Sequence, residues 1–310
     1  MRVSAPYLVD DMNFLSSDDF SRSAFEKVLE TGHALETGSE ELALKSNSVL
    51  VLYFEKPSTR TRLSFEAAMV HLGGSSIYLD PNTTQRSRGE TLADTTKMLS
   101  RYADFIAARL YSHDDLLEIA HNSQMPVINA LTDIEHPTQA LADVYTILKY
   151  KKRIKGIRIA VVGDIASNTT NSLMLTAAKL GAEISLVGPK EYPPNSKYVS
   201  KAMEYSKVVV SNSLPEGLEN SDIIYTDTFV SMGQESEAKK RKEAFAPYQV
   251  NSKAVSMAKD TVMVMHCLPA HRGEEITDDV IDGPRSIVWD QAKNKLLMNK
   301  ALLLYLSEQA

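Results

Sequence analysis

Short apolar runs alternate with amphipathic stretches along almost the whole chain. In the first half, Val49 to Phe54, Ser76 to Leu79, Phe105 to Leu110 and Pro126 to Ala130 are too short for helices and predict buried strands. Between them, Arg62 to Leu72, Thr91 to Arg101 and Asp114 to His121 carry apolar residues at helical spacing and predict helices. A longer helical stretch runs from Pro137 to about Lys151 and ends in Lys149, Lys151, Lys152 and Arg153, where cations suit a helix C-terminus.

The alternation then restarts. Ile157 to Val162, Glu183 to Val187, Lys207 to Val210, Asp222 to Tyr225 and Thr261 to Met265 predict strands, and Asn171 to Leu180 predicts a helix with Gly181 as its C-cap. Asp290 to Ser307 predicts one long final helix. Strands separated by helices of this length imply parallel sheets covered on both faces. The expected fold is α/β, with two doubly wound parallel-sheet domains joined by long helices. Residues 1–148 form the first domain, 149–286 the second, and the terminal helix, 287–310, packs back on the first. The charged stretch Glu235 to Glu243 reads as surface.

Composition narrows the function classes. The chain has 310 residues, which suits two domains of ordinary size. A formal net charge of −6 argues against nucleic acid as a partner, because that binding rests on a basic surface. Cys267 is the sole cysteine, so neither an internal disulfide nor a cysteine zinc cluster can form. Met1 to Asp10 lacks a basic-then-apolar leader pattern, and no apolar run approaches the roughly 20 residues that span a bilayer. The expectation is a cytoplasmic protein with no membrane partner.

Candidate chemistry begins at Ser58-Thr59-Arg60-Thr61-Arg62, which follows the strand Val49 to Phe54 and opens a helix. Ligands of α/β sheets collect at such junctions, and a helix N-terminus offers unpaired N–H groups to a phosphate. The hydroxyls add donors, and the two guanidinium forks match an oxyanion. A capped helix with two surface arginines is the plainer alternative. No Gly-rich run ending in Gly-Lys-Ser/Thr is present, so this is not a nucleotide P-loop. A second string, His136-Pro137-Thr138-Gln139, opens the long helix; alone, His136 would pass for a capping residue.

Together the two strings resemble the aspartate/ornithine transcarbamylase family. That resemblance implies that Ser58 to Arg62 hold the phosphate of carbamoyl phosphate, with Pro137 and Thr138 part of the same binding segment. It implies that Thr61, Arg109 and His136 face the carbonyl oxygen, and that Gln139 contacts the carbamoyl amine. Gln85, in Asn82 to Glu90, resembles the family loop that reaches a neighbouring subunit's site, which implies a homotrimer or a multiple of trimers. The chemistry needs preorganised donors where charge develops, and demands no metal and no cofactor.

Two later segments also end strands: Asp227-Thr228-Phe229-Val230-Ser231-Met232-Gly233 and His266-Cys267-Leu268-Pro269. They resemble the ornithine branch of the family, and imply transfer to the side-chain amine of L-ornithine, giving L-citrulline and phosphate in arginine metabolism. Asp227 can pair with an α-ammonium, Ser231 can complete that contact, and Asn168 and the Met232 N–H can donate to an α-carboxylate. The amine must be neutral to attack, which costs roughly 4 kcal/mol at pH ~7.4. Cys267 is expected to orient the amine or move a proton, not to attack as a nucleophile; a small buried apolar role is its plainer alternative. The carbonyls of Cys267 and Leu268 are implied acceptors for the carbamoyl amine.

Two departures stand out. Ser167-Asn168 stands where the family commonly has two asparagines, and Gln291-Ala292-Lys293-Asn294-Lys295 ends in lysine where the family commonly has arginine. Lys295 keeps the charge and loses the planar fork. Putrescine, an acylated ornithine or aspartate as acceptor, a binding protein without catalysis, and a nucleotide-dependent dehydrogenase remain the rival readings. The last lacks Gly-x-Gly-x-x-Gly over Val162 to Asn171.

Overall fold

The computed structural model describes residues 12–40, 42–231 and 234–309. By their contacts they divide into two compact units, residues 1–133 with 299–310, and residues 134–298. The sequence draws its boundary later, after residue 148. The difference is the long helix Pro137–Lys151, which groups with the second unit.

The first unit holds a parallel sheet of order β2-β1-β3-β4, built from β1 (Val49–Phe54), β2 (Ser75–Leu79), β3 (Phe105–Arg109) and β4 (Val127–Leu131). Its helices are α1 (Arg22–Thr37), α2 (Thr59–His71), α3 (Leu92–Leu99) and α4 (His113–Asn122). Val51, Tyr53, Ile106, Ala108 and Val127 join Leu92, Leu99 and Leu116 in one apolar core. Each buried aliphatic side chain contributes roughly 1.5–3 kcal/mol. Continuous burial along β3 is why its sequence reads as an unbroken apolar run. Edge strand β2 alternates exposed and half-buried residues.

The second unit holds a five-stranded parallel sheet of order β7-β6-β5-β8-β9. Its strands are β5 (Arg158–Val162), β6 (Glu183–Val187), β7 (Val208–Ser211), β8 (Ile223–Thr226) and β9 (Met263–His266). Its helices are α5 (Pro137–Lys151), α6 (Asn168–Lys179), α7 (Ser196–Met203), α8 (Leu214–Leu218), α9 (Ala238–Phe245), α10 (Ser252–Val255) and α11 (Asp278–Ile281). Helix α12 (Val288–Ser307) contributes its N-terminal part to this unit and its last turns to the first, where Tyr305 packs against Phe20.

All nine predicted strands form, most within one or two residues of the expected limits. The corrections concern helices. Helix α1 carries no chemistry-bearing motif and was not expected. Helices α2 and α6 begin earlier than predicted, so Thr59 to Arg62 and Asn168 to Asn171 are first turns. The C-cap of α6 is Leu180, with Gly181 one residue further on at φ 88°. The stretch Glu235 to Glu243 is not merely surface: it enters α9, and Arg241 there is 4% exposed.

Both sheets reverse their winding once, between β1 and β3 and between β5 and β8. Such switch points open a crevice beyond the C-terminal strand ends, where α/β proteins bind ligands.

Candidate active site

At the first switch point, Ser58 caps α2, accepting from the Thr61 N–H at 3.3 Å. Thr61 is buried, Ser58 half-buried, and Thr59 and Arg60 are exposed. Arg62 is braced along its own helix: Nε donates to Glu66 Oε1 at 2.8 Å, and the guanidinium lies 3.8 Å from the Tyr78 ring centroid. That stacking fixes the orientation of the fork.

Arg109 ends the neighbouring strand. The register against β4 slips between Ala108 and Arg109, a bulge that re-aims the last side chain. Arg109 is 6% exposed, and its Nε has no hydrogen-bond partner among the described residues. Burial pushes its pKa down to about 10. Beside it sits a cation that sequence reasoning missed, Lys56, also buried and 4.6 Å from the Tyr111 ring centroid. Burial lowers its pKa, and the charge of Arg109 lowers it further. Lys56 forms no ion pair among the described residues. Two neighbouring buried cations, with Asp133 and Glu55 only partly offsetting the charge at Lys56, make a site that gains from an anion. The signal for Lys56 was its place between a buried strand and the helix cap. Gln85 is exposed, on a single turn spanning Gln85–Arg88.

In the second unit, His136 precedes α5, with Pro137 at the first helical position. Its ring makes no capping bond, which removes the plainer alternative. Instead Lys295 Nζ lies 3.3 Å from His136 Nε2 and donates to Gln139 Oε1 at 2.9 Å. Lys295 is 6% exposed, so the residue in the arginine's place is turned inward onto the His-Pro-Thr-Gln segment. Thr138 is fully buried, its hydroxyl 3.4 Å from His136 Nδ1. The His136 N–H donates to Ser172 Oγ, which donates in turn to the buried Glu135.

The second switch point carries Asn168 after β5 and Asp227 after β8. Asn168 opens α6 behind its cap Ser167 and accepts from the Thr169 hydroxyl at 3.4 Å. Asp227 Oδ1 accepts from the Thr228 N–H at 2.7 Å and from Cys267 Sγ at 2.9 Å. Burial, reinforced by that carboxylate, pushes the Cys267 thiol well up, so it keeps its proton. The Ser231 N–H donates to Gln234 Oε1 at 3.1 Å. Met232 lies outside the described residues.

The Asp227 loop is tied down by a pair that the sequence did not indicate. Arg241 on α9 donates to the Phe229 carbonyl at 2.8 Å and pairs with Asp164, both side chains being buried. Burial lifts the Asp164 carboxyl to about 6, against the pull of Arg241. Gly163, at φ 103°, admits this arrangement: a Cβ there would meet the Phe229 ring at 3.0 Å.

The Cys267-Leu268 segment is held from behind. The Leu268 N–H donates to His266 Nδ1 at 2.8 Å, so Nε2 carries the imidazole hydrogen toward Glu275, 3.0 Å away. His266 and Glu275 are both fully buried. This brace keeps Leu268 at φ 58°, a left-handed conformation that costs a non-glycine residue ~1 kcal/mol or more.

Within each unit, then, residues singled out in the sequence stand at one end of its sheet. Ser58, Thr61 and Arg109 do so in the first unit, and Asn168, Asp227 and Cys267 in the second. No helix among the described residues is long and apolar enough to cross a membrane.

Comparison with known proteins gives two successive matches, with a boundary later than that of the contact-based units. Residues 12–149 match the family described as "Aspartate/ornithine carbamoyltransferase, carbamoyl-P binding domain", and residues 155–306 match "Aspartate/ornithine carbamoyltransferase, Asp/Orn binding domain". The chain is 43% identical over 314 aligned positions to an ornithine carbamoyltransferase of Anoxybacillus flavithermus, covering 99% of this chain and 100% of that one. Among solved structures, it is similar to ornithine carbamoyltransferase from Pyrococcus furiosus, with a TM-score of 0.89, 44% identity, and coverage of 94% and 95% of the two chains. The anabolic enzyme of Campylobacter jejuni gives a TM-score of 0.90 at 37% identity, covering 96% of this chain and 99% of that one.

Proposed function

The chain belongs to the aspartate/ornithine carbamoyltransferase family, and on that premise we propose that it transfers the carbamoyl group of carbamoyl phosphate to the side-chain amine of L-ornithine, giving L-citrulline and phosphate. The observation that carries the choice of acceptor is the Asp227–Cys267 pair. It offers a carboxylate, beside a thiol that keeps its proton, at the switch point where an amino acid would bind. A carboxylate there favours an acceptor with a free α-ammonium, which an acylated ornithine lacks, and Asn168 at the same switch point suits an α-carboxylate, which putrescine lacks. Arg241, the cation tied to the Asp227 loop, is already paired with Asp164 and is not offered to the second carboxylate of aspartate.

In this reading the phosphate is held at the α2 N-terminus by Ser58, Thr59, Arg60, Thr61 and Arg62. Lys56 adds charge from below, and Gln85 of a second subunit adds a donor. Thr61, Arg109 and His136 draw electron density onto the carbonyl oxygen as the tetrahedral centre forms. Gln139 Oε1 and the Cys267 and Leu268 carbonyls accept from the carbamoyl NH2. Asn168 and the Met232 N–H bind the α-carboxylate of ornithine, while Asp227 and Ser231 hold its α-ammonium. The neutral δ-amine attacks the carbamoyl carbon, the C–O bond to phosphate breaks with its electron pair leaving on the phosphate, and the proton shed by the amine nitrogen goes to the departing phosphate. Cys267 orients the amine as a thiol and forms no covalent intermediate. Lys295, held against His136 and Gln139, takes the place of the family's arginine as a buried cation.

A homotrimer, or a multiple of trimers, in the cytoplasm completes the proposal. Its support on the surface of the first unit is the exposed apolar face of α2, where Leu63 and Val70 are 58% and 69% exposed, two turns apart. The test supplies carbamoyl phosphate with ornithine, putrescine, N-acetylornithine or aspartate and measures each carbamoylated product. Citrulline from ornithine is expected, and its absence at mildly alkaline pH sinks the reading. Mixing Gln85→Ala chains with Arg60→Ala chains should regain activity above either parent if sites are shared. Sedimentation should give three chains per particle or a multiple.

A further inference from the structure

Asp143 lies two turns along α5 from the His136 motif and is fully buried. No family motif drew attention to it. Its Oδ1 accepts from Gln139 Nε2 at 2.8 Å and from Gln291 Nε2 at 2.7 Å, and its Oδ2 accepts from the Tyr225 hydroxyl at 3.0 Å. Three donors from α5, α12 and β8 thus meet on one side chain. An ionised carboxylate accepts from all three at once.

The consequence lies in the glutamines. A glutamine amide has a donor end and an acceptor end that differ little in shape, so its neighbours decide which way it faces. Asp143 takes the NH2 end of both amides, and therefore both carbonyl ends face away from it. The carbonyl of Gln139 faces Lys295 Nζ, next to His136. The carbonyl of Gln291 accepts from the His266 N–H at 3.0 Å, at the residue before Cys267. Tyr225, its hydroxyl spent on Asp143, also faces the Cys267 thiol. One carboxylate thereby sets the polarity of a glutamine in the donor motif and braces the strand end that carries Cys267.

We propose that Asp143 is a positioning residue for carbamoyl transfer. It presents Gln139 to the carbamoyl NH2 as an acceptor and, through Gln291 and Tyr225, fixes where Cys267 meets the acceptor amine. This rests on the reaction proposed above.

The test compares the wild-type chain with Asp143→Asn and Tyr225→Phe, reading melting temperature, kcat, and KM for each substrate. Asparagine is isosteric but replaces one acceptor with a donor, so one of the three donors must turn away. The expected result is a folded Asp143→Asn protein with kcat roughly 10–100-fold lower, the range that small misplacements of reacting groups produce. KM for ornithine rises at least roughly threefold, and KM for carbamoyl phosphate moves less. A purely structural defect would lower the folded fraction and leave both KM values where they were, and that outcome overturns the proposal. Full wild-type kinetics in Asp143→Asn overturns it too. Should Asp143→Asn fail to fold, Tyr225→Phe removes only one donor and is expected to raise KM for ornithine; unchanged kcat and KM there also overturn it. A wild-type chain that makes no citrulline sinks the proposed function instead, so the two failures are distinguishable.

Discussion

The two switch points treat charge in opposite ways. In the first unit the cations are left open among the described residues: Arg109 is buried with Nε unpartnered, and Lys56 beside it has an aromatic face and no ion pair. In the second unit the best-partnered acids are closed in: Asp143 takes three donors and Asp164 takes Arg241. An open buried cation waits for an anion and is a cost to the empty protein. A closed network is finished before any ligand arrives and holds the geometry of what lies in front of it. The first arrangement suits capture of a phosphate, and the second suits alignment of an amine.

The largest effect should come from the open side. Arg109→Met is expected to lower kcat/KM by roughly 10²–10³-fold, the usual scale for removing a donor to a developing oxyanion. The same change removes an uncompensated buried charge, so the melting temperature should hold or rise. A fall of several degrees would break the contrast drawn between the two units.

The closed side should behave oppositely. Asp164→Asn strands Arg241 in the interior and is expected to cost about 3–5 kcal/mol in denaturant unfolding. A loss below about 1 kcal/mol would show that the pair is not the anchor of the Asp227 loop.

Protonation sharpens the comparison further. Burial raises the Asp143 carboxyl to about 6, above its ordinary value of 3.8, so the folded protein binds that proton more tightly than the unfolded chain. Stability from this group is therefore fully present below pH ~4 and falls as pH rises toward ~6, by on the order of 2–3 kcal/mol. Asparagine cannot titrate. The stability of the wild-type chain relative to Asp143→Asn should decline over that window, measured by urea unfolding at each pH; a constant difference would contradict it.

The smallest effect concerns the two serine caps. Ser167 is buried and accepts from the Thr170 N–H at 3.1 Å, whereas Ser58 is half-buried and its bond is 3.3 Å. Ser167→Ala should cost roughly 1–2 kcal/mol and Ser58→Ala about 1 kcal/mol or less, by thermal unfolding. A larger loss at Ser58 would mean that the open side is more rigid than its charges suggest.

What the sequence by itself determined is local. An apolar run between turns makes a strand, and a serine before a helical pattern makes a cap, so Val49 to Phe54 and Ser58 to Arg62 were legible from neighbours alone. The same holds for Asp227 and Cys267, each the first residues beyond a buried strand. What only the tertiary structure decided is who meets whom. Gln291 reaches Asp143 across a sequence separation of 148, and Lys295 reaches Gln139 across 156. Arg241 lies in a stretch so charged that it reads as solvent-facing, yet it is buried on Asp164. The sequence showed that Lys295 lacks the fork of an arginine, and only packing showed it turned inward. The physical reason is that a polar side chain's worth depends on burial and on its partner. Both are set by which helices pack together, not by the residues beside it in the chain.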